Sequence, residues 1–216
     1  MPYLGETPPV GSRSKVNATT TVGTGAEEDT LIKFDGNALD FRLGIDDGTD
    51  TMEIGKGGAH GTTAHMILDT NGIIRAPLQP AFSAIPASNQ LNVSGLTALA
   101  FATEQFDTNA DYNTSNSTFT APVDGRYMMN LLIRWDNADS AADYHEPLIL
   151  TSDGEVYLAL GGGGTLAADG YFQQNGSRII QMDAGDTAVA RTTVSGGTAQ
   201  ADLSTYSTIF SGFLIG

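Results

Sequence analysis

The stretch STFTAPVDGRYMMNLLIRW, from Ser117 to Trp135, limits most strongly what this chain can fold into. A Pro-Val-Asp-Gly turn leads into a nearly unbroken run of strand-forming residues from Gly125 to Trp135. A strand with one solvated face should alternate apolar and polar side chains. Here Tyr127, Met129, Leu131 and Ile133 point one way, and Met128 and Leu132 the other. Both faces need cover, so something packs against each side of this strand.

The rest of the chain agrees with strands. Twenty-six glycines, abundant Thr, Ser, Asn and Asp, and no helical period point to an all-β protein. From Ala81 onward the pattern predicts strands at 81–85, 99–106, 117–121, 125–136, 147–151, 156–160, 170–182, 187–194 and 206–215. Eight or nine strands in about 135 residues fit a β-sandwich or jelly roll. The last one, STIFSGFLIG, is apolar on both sides: Phe210 and Leu214 on one, Ile209, Phe213 and Ile215 on the other. One side serves the sandwich core and the other is expected at a subunit interface.

Upstream lie two different pieces. Residues 31–80 form short strands separated by the turns FDGN, IDDGTD and DTNG, ending in the proline-stiffened linker APLQP. In ALDFRLGI, Leu39, Phe41, Leu43 and Ile45 share a face opposite Asp40, Arg42 and Gly44. So few apolar side chains rarely make a core alone, which predicts association of several chains along an axis as a shaft. Residues 1–30 carry Pro2, Pro8, Pro9 and a polar Thr/Gly/Asn tract, too little apolar surface to fold independently. They read either as a disordered leader or as an arm ordered by another protein.

Charge and composition exclude several functions. The net charge of -15 repels phosphate backbones, which argues against nucleic-acid partners. No cysteine is present, so disulfides, thiolate metal sites and cysteine nucleophiles are excluded. No run of about 18 apolar residues can make a membrane-spanning helix, and the opening residues lack the apolar core of a signal peptide. There is no nucleophile elbow, phosphate loop or H-E-x-x-H motif, so no catalytic residues are predicted and no enzyme or cofactor is expected.

Acidic clusters are the remaining chemical signal. DTNAD (107–111) begins like a calcium loop, but Tyr112 stands where glycine belongs and Thr118 where glutamate belongs. Asp136, Asp139 and Asp143 sit in one acidic stretch and are candidates for ligand contact in an exposed loop. No metal site is predicted. His60 and His65, five residues apart, are expected in surface or shaft packing rather than as ligands.

The segments AFSA (81–84), FATEQFDTNADYN (101–113), STFTAPVDGRYMM (117–129) and the closing STIFSGFLI (207–215) together resemble the globular head of the complement component-1q family. That resemblance implies a jelly roll shared with tumour-necrosis-factor ligands, a homotrimer, termini together at its base, and a central strand at Tyr127–Trp135 packed inside the sandwich and against neighbours. MPYLGETP and NALDFRLGIDDGTDTMEIGKGGAHGTTAHMILDTNG resemble the attachment arm and β-shaft repeats of bacteriophage fibre proteins. The combined expectation is a short trimeric β-shaft followed by a jelly-roll head, with Phe41, Leu43, Tyr127, Met129, Phe210, Phe213 and Ile215 as trimer-interface candidates. Function then reads as a homotrimeric tail fibre on the virion exterior. Residues 1–30 would hold other virion proteins, and the knob a host surface glycan or protein. A capsid head fibre or decoration protein is the alternative within the virion, and a secreted lectin-like module the alternative of another class.

Overall fold

The computed structural model describes residues 20–61, 63–159, 161–162, 170–198 and 200–216. The described residues contain strands and no helix, and the chain divides into two compact units, Met1–Pro77 and Leu78–Gly216. Of the expected arm, residues 1–19 lie outside the described region, and residues 20–29 carry no strand.

The first unit is an antiparallel meander in simple order. Its strands are β1 (Thr30–Phe34), β2 (Phe41–Asp46), β3 (Thr51–Lys56), β4 (Ala64–Leu68) and β5 (Ile74–Arg75). The Asp69 carboxylate closes the last hairpin by accepting the Asn71 and Ile73 N–H bonds at 2.9 Å each, with Gly72 at φ +81° supplying the left-handed position.

Burial in this sheet runs against the usual polarity. Arg42 is fully buried, and Asp46, Thr51, Glu53 and His60 are buried with it. The Arg42 guanidinium donates to Glu53 Oε2 at 3.1 Å and to the Lys56 carbonyl, and His60 Nδ1 lies 3.1 Å from the same Glu53 oxygen and 3.3 Å from Arg42 Nε. His60 Nε2 lies 3.2 Å from the Thr30 carbonyl. Burial works to raise the Glu53 carboxyl, but the His60 and Arg42 hydrogen bonds overcome it and hold Glu53 below its ordinary value. Glycine makes the room: a Cβ on Gly55 would sit 2.8 Å from Arg42 Nη2, and one on Gly44 2.8 Å from His60 Nε2.

The second unit is a sandwich of two sheets. Its strands are β6 (Ala81–Ile85), β7 (Gln90–Val93), β8 (Gly95–Ala98), β9 (Thr103–Asp107), β10 (Tyr112–Asn113), β11 (Thr118–Thr120), β12 (Gly125–Asp136), β13 (Tyr144–Thr151), β14 (Gly154–Tyr157), β15 (Gly161–Gly162), β16 (Phe172–Met182), β17 (Thr187–Ser195), β18 (Ala201–Leu203) and β19 (Ile209–Leu214). One sheet runs β10-β11-β17-β13-β14, with β15 on β13 and β8 on β17. The other runs β7-β18-β12-β19-β6-β9, with β16 on the free side of β12. This is the jelly-roll sandwich that the strand pattern predicts.

β12 is a central strand, as the resemblance implies, paired along its length with β16 and on the other side with β19 and then β18. Tyr127, Met129, Leu131, Ile133 and Trp135 are all fully buried on its inner face. Phe82 organises the core beside them, its ring 4.8 Å from both Tyr112 and Phe119 and 5.0 Å from Phe210. The buried phenol of Tyr112 donates to the Phe101 carbonyl at 3.0 Å, and burial pushes its pKa up to about 12. These positions correct three interface candidates. Tyr127, Met129 and Phe210 belong to the protomer's own core, because the alternation of β12 and β19 turns them inward.

The expected strand 99–106 is also redrawn. Leu99 still bonds to the Ala190 carbonyl of one sheet, whereas β9 pairs with β6 of the other. The chain crosses between sheets here, and the buried Leu99 and Phe101 fill the corner. β7, β8, β10, β15 and β18 are two to four residues long, too short to show a period.

His145 is fully buried between Trp135 and Phe172, its ring 5.9 and 5.1 Å from theirs. Neither ring nitrogen has a hydrogen-bond partner among the described residues. Burial lowers its pKa, partly opposed by the Asp139 charge.

Two outcomes follow for stability. Arg42→Met strands the Glu53 carboxylate and should cost about 3–5 kcal/mol. Hydrogen exchange of the β2 and β3 amides should quicken accordingly, and the double change Arg42→Met/Glu53→Met should restore protection. The unfolded chain protonates His145 near its ordinary value of 6.5 while the folded chain resists. Stability from this group is therefore complete above pH 6.5 and declines as pH falls below it. His145→Met should show a smaller loss of melting temperature between pH 7.5 and 5 than the parent.

Candidate assembly surfaces and the acidic loop

Residues directly opposite in an antiparallel pair share a face. In the first unit this rule sets Ile32, Leu43, Ile54 and Met66 in one row and Ile45, Met52, Leu68 and Ile74 in the next. Phe34 and Phe41 begin a third. The face opposite the Arg42 cluster is therefore almost wholly apolar. It is also open: Phe34 is 58 % exposed, Ile54 43 % and Ile74 62 %. Six of its side chains, Leu43, Met52, Ile54, Met66, Leu68 and Ile74, line a trough of about 210 Å³. Scattered exposed apolar residues are ordinary, but contiguous rows mark a surface that something covers. Phe41 and Leu43, expected at an interface, lie in this face.

The second unit has a comparable face on the outside of the β12 sheet. Pairing aligns Ala81, Phe213, Met128 and Ile179 in one row, and Ser83, Ser211, Asn130 and Ser177 in the next. Leu132 and Ile209 open a third row. Phe213 and Ile215 are about half exposed, as are Ile179 and Phe106, which stands opposite Ser83. Phe213 and Ile215 are thus where the two-faced last strand puts them. Ile179 and Phe106 were missed, because only the register sets them beside Phe213; the apolar pair in RIIQM was the visible hint.

The structure does not draw the acidic candidates into one site. Asp136 Oδ1 accepts from Arg134 Nε at 2.9 Å. Asp139 accepts from the Thr198 N–H and hydroxyl at 2.6 Å each and from the Ala141 N–H at 2.8 Å. Those bonds, the Thr198 hydroxyl first, hold its carboxyl below the usual range. Asp143 is exposed beside Gly196. In DTNAD, Asp107 caps its own turn, accepting the Asp111 and Tyr112 N–H bonds at 3.1 and 2.8 Å. Among the described residues no group of three or more His, Asp or Glu side chains is placed to hold a metal ion.

Residues 81–215 match the family model for the C1q domain, which is more than half of the chain. The chain belongs to the C1q family. Among solved structures, the globular domain of zebrafish complement 1qA protein is similar at a TM-score of 0.49 and 17 % identity, covering 64 % of this chain and 98 % of its own. Murine APRIL is similar at 0.47 and 8 % identity, with 63 % and 99 % covered. The Eiger TNF from S. frugiperda is similar at 0.48 and 12 % identity, with 64 % and 92 % covered. No curated protein matches the chain. The C1q domain coincides with the sandwich, and the inverted sheet of Met1–Pro77 lies outside the match.

An acidic substitution in either open face should weaken self-association, because a carboxylate would be sealed against apolar neighbours. Ile54→Asp and Phe213→Asp are each expected to raise the dissociation constant by roughly 100-fold, about 3 kcal/mol. Tyr157→Ser, at an exposed position on the opposite sheet of the sandwich, should leave it unchanged. Sedimentation equilibrium of the full chain reads all three.

Proposed function

We propose that this chain is a non-enzymatic fibre subunit on the exterior of a phage particle, working as a homotrimer. Residues 1–30 attach it to other virion proteins, the sheet of β1 to β5 is one wall of a short shaft, and the C1q domain is a distal knob that engages the host surface. The observation that carries this reading is the inverted sheet. Its polar face is sealed by its own Arg42–Glu53–His60 cluster, so its apolar face is left for other copies.

The reading is economical in partners. A sheet with one apolar face gains nothing by staying alone in water, and three such sheets placed face to face exclude water from all of them. The knob supplies a second apolar surface, the row of Phe213, Met128 and Ile179, for the same association. Trimer formation is in keeping with membership of the C1q family. The charge of -15 per chain keeps such a fibre from nonspecific contact with nucleic acid and with other acidic surfaces. The phage assignment itself is supported by the arm-like MPYLGETP and the shaft-like residues 37–72.

Two measurements test this. Sedimentation equilibrium of the full chain at micromolar concentration is expected to give a trimer, and a folded monomer would overturn the shaft. Antibody against the knob is expected to decorate the tail of intact particles. Decoration of the capsid would overturn the receptor-binding role in favour of a head fibre.

A further inference from the structure

At the far end of the outer β12 face, six residues and about 20 Å along the strand from Met128, stands a group of different character. The Arg134 guanidinium carbon lies 4.7 Å from the centre of the Tyr171 ring and 4.9 Å from that of Tyr206. Both tyrosines are among the most exposed large side chains described, at 74 % and 67 %. With Phe172, Gln173 and Ser207 the three line an open pocket of about 490 Å³. Asp136 adds an acceptor through its 2.9 Å bond to Arg134 Nε.

The pocket is held in place by the strand that carries it. Ladder pairing of β12 passes from β19 at Leu132 to β18 at Trp135. Arg134 sits at the gap, where its N–H donates to the Thr208 hydroxyl at 3.0 Å and its carbonyl accepts the Ser204 N–H at 2.9 Å. The short loop presenting Tyr206 is thus pinned at both ends to the residue whose side chain Tyr206 covers. Ser207 keeps φ at +58°, a conformation costly for a residue with a Cβ and maintained only where surroundings enforce it. Structure invested in exposing two aromatic rings needs a ligand with a matching surface.

We propose that Arg134, Asp136, Tyr171, Gln173, Tyr206 and Ser207 form a binding site for a neutral pyranose sugar. Phenol rings offer flat apolar faces with a polar tip, suited to a ligand with C–H groups on one side and hydroxyls around its edge. The free edge of the guanidinium and the Gln173 amide donate, and the Asp136 carboxylate accepts, which serves neighbouring hydroxyls of a sugar ring. Charge decides between a neutral and an anionic sugar. Asp136 already neutralises Arg134, and the whole chain carries -15, so an acidic ligand would approach against the field. A pocket of this volume holds one or two sugar rings.

The site deepens the receptor-binding role above, and rests on it for biological meaning but not for the chemistry. The test uses the full chain, saturation-transfer difference NMR, and the methyl glycosides of glucose, galactose, mannose and N-acetylglucosamine at millimolar concentration, with glucuronic acid beside them. The expected result is transfer to the ring C–H protons of at least one neutral glycoside. It should fall at least tenfold in Tyr171→Ala and Tyr206→Ala and survive in Tyr171→Phe and Tyr206→Phe. No transfer from any neutral glycoside, transfer from glucuronic acid alone, or transfer unaffected by both alanine changes would overturn the proposal. Sedimentation of the same variants separates the readings. If either alanine change breaks the assembly, the rings are a contact between copies and the site is overturned. Sugar binding by a monomeric parent would sink the fibre and leave the site standing.

Discussion

Antiparallel pairing sets directly opposed residues on one face, and in the first unit that places Arg42 and Glu53 behind a sheet fronted by Leu43, Ile54 and Met66. The buried ion cluster decides the rest. A guanidinium and a carboxylate bonded to each other, with the Lys56 carbonyl on one and the His60 ring against both, can be sealed from water at tolerable cost. Once the polar face is sealed from within, the apolar face stays open among the described residues of its unit. A sheet built this way is half of an interface, and its fold makes association the natural means of removing apolar surface from water.

The sandwich solves the same problem differently. Its inner faces make a complete core around Phe82, Phe119 and Tyr127, so the C1q domain holds a protomer together without help. What remains outside is graded along β12. Near the start of the strand the row is apolar, at Met128, Phe213 and Ile179; in the middle it is polar, at Asn130, Ser177 and Ser211; at the end it turns to Arg134 and its two tyrosines. Apolar rows suit contact between like surfaces, whereas a charged group between amphipathic rings suits a ligand with both characters. One strand thus carries an apolar surface and an amphipathic one, separated by its length.

Much of this was legible in the residues. The period of two in Gly125–Asp136 separated the two faces of the strand correctly, since the odd positions from Tyr127 to Trp135 are all buried together, but it did not say which face turns inward. The two-faced ending likewise put Phe210 and Phe213 on opposite sides, and the structure turns Phe210 in and Phe213 out. Both sites lie in long strands, where alternation has room to show. The acidic loop was less legible: aspartates close in sequence spend their oxygens on different partners, Arg134 for one and Thr198 for another. The interface set failed at Tyr127, Met129 and Phe210, because an apolar side chain looks the same whether it faces its own core or a neighbour's.

The sequence by itself determined the class of fold, the two-faced strand at 125–136 and the sign of the surface charge, because each depends on local period, turn chemistry or composition. Tertiary structure alone decided which face of the first sheet is buried. Alternation in ALDFRLGI separates Arg42 from Leu43 without saying which side the chain will cover, and that depends on His60 arriving from a loop eighteen residues away to bind Arg42. It also decided that Tyr171 and Tyr206 meet on Arg134. Those residues are distant along the chain, and only the pairing of β12 with its neighbours brings their rings within 5 Å of one cation. Alternation and turns act between neighbours in sequence, whereas register couples residues that nothing but the folded sheets can bring together.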